Sequence, residues 1–281
     1  MGRETSDHSS SERLTFPRSR VVLGVQSLEA ELESARALDV ADLADAIESI
    51  GFECTRCGAC CKGHGEEEHT ATVFPEEIRT LAEREAGDSP ATDGDSATEG
   101  TSDDETDTSD QETDTSDHET DTGEYDWRDV ARPMPYGLTE TDDGLEGETF
   151  EWALQTDSCG DCTFYETTAD GTGACSVHED RPLICQTYPF SIDLAGTSQP
   201  MGEAVDEAGD VRAHECEGLG RDISREDAEA LARTLKDRAI TELEQAIGVR
   251  DTYEPADPDP GEIVVHDSEG AKRDDGTPLE K

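Results

Sequence analysis

The stretch Cys54-Thr-Arg-Cys57-Gly-Ala-Cys60-Cys61 constrains this chain more than any other, because it gathers four of the nine cysteines into eight residues. In C-x-x-C the two intervening residues turn the backbone enough to bring two sulfurs to one metal. That spacing recurs in structural zinc sites and in ferredoxin-like clusters. It points to a soft metal or an iron–sulfur centre and leaves open which. The adjacent pair Cys60-Cys61 adds a condition: neighbouring side chains point in different directions, so the two thiolates do not readily serve one tetrahedral site. One of them faces a second metal, bridges, or stays free. Gly58 permits a tight backbone around sulfurs that take bonds from amide N–H groups.

The remaining cysteines, Cys159, Cys162, Cys175, Cys185 and Cys216, all follow a long acidic interruption. Only 32% of the 281 residues are hydrophobic and 5% aromatic, enough for one modest core, so metal binding free energy would compensate for apolar area that is missing. The formal net charge is −49, and only 15 of the 71 acidic residues fall between Gly87 and Tyr125, so the acidity is spread along the chain. Lysine occurs only at 62, 236, 272 and 281. A Lys-poor, acidic surface is similar to that of proteins from salt-loving microbes, where salt screens the self-repulsion that opposes compaction; an acidic partner-binding protein is the alternative. No basic stripe exists to neutralise phosphates, which argues against nucleic acid as a partner. No run of 18 apolar residues occurs, so no membrane span is expected and the protein is placed in the cytoplasm. A reducing compartment makes the cysteines ligands or thiols rather than disulfides.

Residues 1–20 are polar and read as disordered. Residues 21–86 hold helices and the first cysteine cluster. Ser27 opens a helical pattern of Leu28, Leu32, Ala35 and Leu38, and after Asp39 a second runs through Leu43, Ala44, Ile47 and Ile50 to Gly51. Thr70–Phe74 reads as a strand. Pro75-Glu-Glu-Ile starts a helix, with Glu76 and Glu77 placed where the dipole favours acids rather than as catalytic carboxylates. Residues 87–125 carry three near-identical Glu-Thr-Asp-Thr heptads without apolar positions, a disordered insertion and not a coiled coil. Residues 126–249 hold the second cysteine region and form one domain with 21–86. Strands are expected at Phe150–Gln155 and Cys162–Glu166, a turn at Ala169–Gly173, and a helix from Ser224 to a stop at Gly248. Pro182 would start a short helix with Cys185 near its positive end, where a thiolate is favoured. Residues 250–281, rich in Pro and Asp, read as a disordered tail. The fold class that results is α+β, a small irregular metal-stapled domain with terminal helices and a few short strands.

Cys54-x-x-Cys57-Gly-x-Cys60-Cys61, the Pro-Glu-Glu-Ile helix, Cys162-x-Phe, Cys175-Ser-Val-His-Glu-x-Arg-Pro-x-x-Cys185-x-x-Tyr-Pro-Phe and a late Cys216-x-Gly together resemble the YkgJ-type cysteine-cluster family, a zinc- or iron-chelating domain whose members are often labelled iron–sulfur proteins. The resemblance covers about Phe52 to Gly218 outside the insertion. It implies a metal ion bound through Cys54, Cys57, Cys60, Cys61, Cys162, Cys175, Cys185 and Cys216, as zinc or as an iron–sulfur cluster. Cys159, which makes a further C-x-x-C with Cys162, departs from the pattern.

Eight thiolates allow two four-cysteine sites, one such site with free thiols, or a single iron–sulfur cluster with spare cysteines. His178 and His214 read as surface or packing residues, since cysteines already suffice. Arg56, Lys62 and Arg181 are candidates to offset thiolate charge, and for Arg181 a salt bridge to Glu179 or Asp180 is the alternative. No nucleophile elbow, P-loop or dinucleotide fingerprint is present. Two functions follow: a metal-chelating or cluster-holding protein, or an iron–sulfur oxidoreductase that passes electrons to a redox partner protein.

Overall fold

The computed structural model describes residues 27–63, 68–84, 126–141, 144–194, 201 and 203–279. The expected disorder at 1–20 and 87–125 lies outside these residues. Helix α1 (Leu28–Ala37) is capped by Ser27, whose side chain accepts from the Ala30 amide, and α2 (Val40–Ile50) by Asp39, which accepts from Ala41. Both caps satisfy amides that a helix leaves open at its start. A two-residue strand, β1 (Thr72–Val73), precedes α3 (Pro75–Ala82). After the insertion come α4 (Trp127–Val130), β2 (Ala131–Pro133), β3 (Leu138–Thr141), β4 (Gly144–Thr149) and β5 (Trp152–Leu154). The second cysteine region holds β6 (Tyr165–Thr167), β7 (Gly173–Cys175), α5 (Leu183–Thr187) and β8 (Phe190–Ile192). The chain ends with β9 (Ala204–Ala208), β10 (Val211–His214), α6 (Arg225–Thr252), β11 (Ile263–Asp267) and β12 (Gly270–Arg273). The architecture is α+β, as expected.

Two cores divide the molecule. The first is aliphatic: α6 lies against α1 and α2, burying Leu32, Leu43, Ile47, Leu235 and Leu243 beneath Phe190 and Ile192 of the sheet β8-β10-β9. The second is built on the sheet β1-β5-β2, with Val73, Ile78, Leu81, Trp152, Leu154 and Phe164, and Cys162 is part of it. Arg238 on α6 ties that helix to α5 and β8. Its guanidinium is 1% exposed, donates to the Thr187 hydroxyl at 3.0 Å and the Phe190 carbonyl at 3.2 Å, and pairs with Glu242 at 2.7 Å. A buried cation survives when its donors are matched in this way. Glu77 ties α3 to α5. One carboxylate oxygen accepts from the Phe74 amide at 2.9 Å, closing the start of α3, and the other from the Leu183 amide at 2.8 Å, which fixes the start of α5. Its role is structural, in line with the helix-start reading.

Three expectations are corrected. The tail is not disordered throughout: β11 pairs parallel with β4 and antiparallel with β12, and Val264 and Val265 are fully buried. Its prolines are densest at 254–260, and the β-branched run that follows supplies a strand. Helix α6 does not stop at Gly248 but runs to Thr252. There the glycine serves close approach, since a Cβ would sit 2.6 Å from Ser268 in the β11–β12 turn. The strand expected at Cys162–Glu166 begins only at Tyr165, because Cys162 to Phe164 turn the chain with the Tyr165 amide bonded to the Cys162 carbonyl. Among the described residues, no helix is long and apolar enough to cross a membrane.

Candidate metal centre

The first cluster is an irregular loop held open for its cysteines. Arg56 takes φ 55° and Gly58 φ 76°, both left-handed, and a single 3-10 turn over Ala59–Cys61 follows. Gly58 is needed on two counts: its φ disfavours side chains, and a Cβ would lie 2.5 Å from the Tyr165 ring. Backbone hydrogen bonds then bring distant segments to this loop. The Glu53 amide donates to the Gly218 carbonyl at 3.1 Å, the Gly173 amide to the Arg56 carbonyl at 2.8 Å, and the Cys162 amide to the Cys61 carbonyl at 2.8 Å. The segments bearing Cys216, Cys175 and Cys162 are thereby laced to the segment bearing Cys54–Cys61. Tyr188, three residues after Cys185, donates its hydroxyl to the Glu215 carbonyl and so ties the Cys185 segment to that of Cys216.

Glycine 218 sets how closely the first of these contacts can form. A Cβ there would stand 2.3 Å from the Glu53 carbonyl oxygen and 3.0 Å from the Phe52 ring, and the first neighbour is backbone that cannot swing away. Gly218→Ala is expected to cost about 1–3 kcal/mol by overpacking, read as a lower urea midpoint. An unchanged midpoint would show that the Cys216 segment does not press on Glu53.

Exposure differs sharply among the cysteines. Cys54, Cys57, Cys60 and Cys159 are exposed, Cys61, Cys175, Cys185 and Cys216 are half-buried, and Cys162 is buried at 7% exposure. The sulfurs of Cys60 and Cys61 stand 3.8 Å apart. The adjacent side chains therefore remain in sulfur contact although one is exposed and the other packs inward. Cys159 lies in a surface turn, its amide bonded to the Asp157 carboxylate at 2.8 Å. Among the described residues, no three His, Cys, Asp or Glu side chains stand close enough, as placed, to clasp one ion.

Burial governs the thiols. It pushes Cys162 up to about 11 and raises Cys175 and Cys216, while the contact with Cys61, followed by burial of the sulfur, raises Cys60. Cys185 is raised well above the ordinary thiol range by burial, with Cys162, Cys60 and Cys175 adding to it. The expectation that the positive end of α5 favours a Cys185 thiolate is thus corrected: a helix of five residues offers a small dipole, and desolvation outweighs it. Arg181 opposes the rise at Cys60 and Cys175. It is not paired with its sequence neighbours, since Asp180 pairs with Arg84 at 2.6 Å and Glu179 meets His178 at 3.5 Å, while Arg181 Nε donates to the His178 carbonyl at 3.0 Å. Lys62 places its ammonium 4.9 Å from the Tyr165 ring. His214 is a buried packing residue, hydrogen-bonded to Ser191 at 2.8 Å.

The sequence pointed to the cysteines and to Glu77 as a helix-start residue, but not to the long-range bonds that assemble the cysteine segments. Glu77, Tyr188 and Gly218 act on backbone groups, and their Pro-Glu-Glu-Ile, Tyr-Pro-Phe and Cys-x-Gly contexts carried the only signal. Comparison with curated proteins and with solved structures gives no match. The model of the CxxCxxCC family, described as "Putative zinc- or iron-chelating domain", matches residues 53–217. That span is more than half of the chain and takes in all nine cysteines with the segments that join them, and the chain belongs to this family.

Proposed function

We propose that the protein chelates zinc, or iron as an iron–sulfur centre, through Cys54, Cys57, Cys60, Cys61, Cys162, Cys175, Cys185 and Cys216. The observation that carries this reading is the backbone lacing of the Cys162, Cys175 and Cys216 segments onto one loop, over sequence separations of about a hundred residues and more, with the Cys185 segment tied to that of Cys216 through Tyr188. The donor set fits the group, because thiolates suit both zinc and iron–sulfur centres. The buried Thr55 hydroxyl, which has no hydrogen-bond partner among the described residues, lies within the first motif and supplies a donor beside its sulfurs. Bound metal would cross-link the segments, and an iron centre would add reversible electron uptake. The protein's own part is to bring the thiols together, to give up their protons on binding, and to offset the resulting charge with Arg181. Closing on an ion takes rotation of cysteine side chains from their present positions.

Electron transfer with a partner protein is the second reading. It is favoured by the exposure of Cys54, Cys57 and Cys60, which would leave an iron centre near the surface. Metal analysis with an absorption spectrum, on protein purified without oxygen in high salt, decides between them. Iron with acid-labile sulfide and visible colour supports the redox reading; colourless stoichiometric zinc supports chelation alone. Protein with native fluorescence but no stoichiometric metal would overturn both.

A further inference from the structure

We propose that Glu77, Thr187 and Arg238 are positioning residues for Cys185, joined by a buried hydrogen-bond chain that runs the length of the helix carrying it. This rests on the chelation reading above, which makes Cys185 a ligand. Helix α5 is five residues long with Cys185 in its middle, and Pro182 at its start supplies no side-chain cap. A helix this short does not hold itself in water. Its neighbours therefore decide where the thiol stands.

The chain begins at a guanidinium and ends at a carboxylate. Arg238 Nη1, from α6, donates to the Thr187 hydroxyl at 3.0 Å, and that hydroxyl donates to the Leu183 carbonyl at 2.7 Å. The Leu183 amide donates in turn to the Glu77 carboxylate of α3 at 2.8 Å. Every donor points toward Glu77, and bonds set head to tail between opposite charges polarise one another. Thr187 is fully buried and Arg238 is 1% exposed, so water does not stand in for a lost member. The outer ends are anchored as well. Glu77 also accepts from the Phe74 amide, and Arg238 Nη1 also holds the Phe190 carbonyl at 3.2 Å, in the strand that follows α5. Burial raises the Glu77 carboxyl and Arg238 acts against that rise, so the two charges feel each other across α5. Neither α3 nor α6 bears a cysteine. Two elements outside the ligand set thus fix a helix that belongs to it.

Thr187→Val removes the central link at similar shape, and Glu77→Gln leaves one acceptor for two amides. The full-length protein and both variants are loaded with zinc, and affinity is read by competition with a chromogenic chelator. On the same samples, alkylation by iodoacetamide is followed at each cysteine by mass spectrometry. Each variant is expected to bind zinc on the order of tenfold more weakly, the low end of what losing a group that orients a ligand costs. Cys185 should be alkylated on the order of tenfold faster, because opening of α5 alone exposes it. The rate at Cys162, buried in the core against which Cys185 packs, should not change. Equal acceleration at Cys162 would mean general loosening of that core, and an unchanged rate at Cys185 would mean that the chain does not place it; either overturns the assignment. Faster alkylation of Cys185 with unaltered zinc affinity supports the positioning and removes Cys185 from the ligand set. Wild-type protein that takes up no stoichiometric zinc overturns the chelation reading, while the Cys185 rate still decides the positioning.

Discussion

Complete removal of metal is expected to unmake the second core and spare the first. Both tryptophans of the chain report on the second: Trp152 is 1% exposed within it and Trp127 packs edge-on against Trp152 at 5.1 Å. The sheet there is slight, with strands of two and three residues, and sheets this small do not hold by themselves. Structural zinc binding is worth about 10–16 kcal/mol in apparent terms, against a whole-domain stability of about 5–15 kcal/mol. The cross-link is therefore as large as everything it stabilises. The first core has no such dependence, since α6 spans 28 residues and packs along α1 and α2 through aliphatic side chains. Metal-stripped protein in high salt should show tryptophan emission shifted to longer wavelength and a collapsed near-ultraviolet circular dichroism spectrum. Most of the helical far-ultraviolet signal should remain. Unchanged tryptophan signals after the metal is gone would mean that this core stands on apolar contacts alone.

The difference between the cores also explains what could be read from the sequence. Helices α1, α2 and α6 were legible because each combines a 3.6-residue apolar period with a polar cap at Ser27, Asp39 or Ser224, and these are local signals. The cysteine ligand candidates were legible for a similar reason, as spacing is written in the chain. What lay beyond reach was long-range. β11 pairs with β4 across more than a hundred residues, and its three-residue apolar run follows a Pro- and Asp-rich stretch that hides it. The inward turn of Cys61 against the outward turn of Cys60 depends on which side the second core lies. The raised Cys185 thiol follows from burial that composition does not reveal, and it reverses an argument made from the helix end alone.

Asp267→Ala is the substitution expected to damage the docked C-terminal hairpin most. Asp267 is 4% exposed and its carboxylate does three jobs: it accepts from Trp152 Nε1 at 2.9 Å and from the Glu269 amide at 2.9 Å, and it pairs with Lys272 at 2.8 Å, the Asp267 and Lys272 side chains being 5% and 6% exposed. Removing one member of a buried ion pair costs about 3–5 kcal/mol, since the other is left desolvated without its counter-charge. Here Glu269 remains 2.7 Å from the Lys272 ammonium and the Trp127 ring 5.1 Å away, so the lower end, about 3 kcal/mol, is expected. The loss should appear as a lower urea midpoint. It should be largely absent when Asp267→Met is combined with Lys272→Met, which removes both charges at similar volume. Acid should reproduce part of the effect. The Glu269 carboxyl is held down to about 2, chiefly by hydrogen bonds from Arg79 and also by Lys272. Because its folded value lies below the ordinary 4.5, that stabilisation is present above about pH 4.5 and is lost as pH falls toward 2. Glu269→Gln should flatten the fall in melting temperature across that window. If Asp267→Ala lowers stability by less than about 1 kcal/mol, the pair is too hydrated to matter, and the hairpin is held by the β11–β4 ladder and the burial of Val264 and Val265 alone.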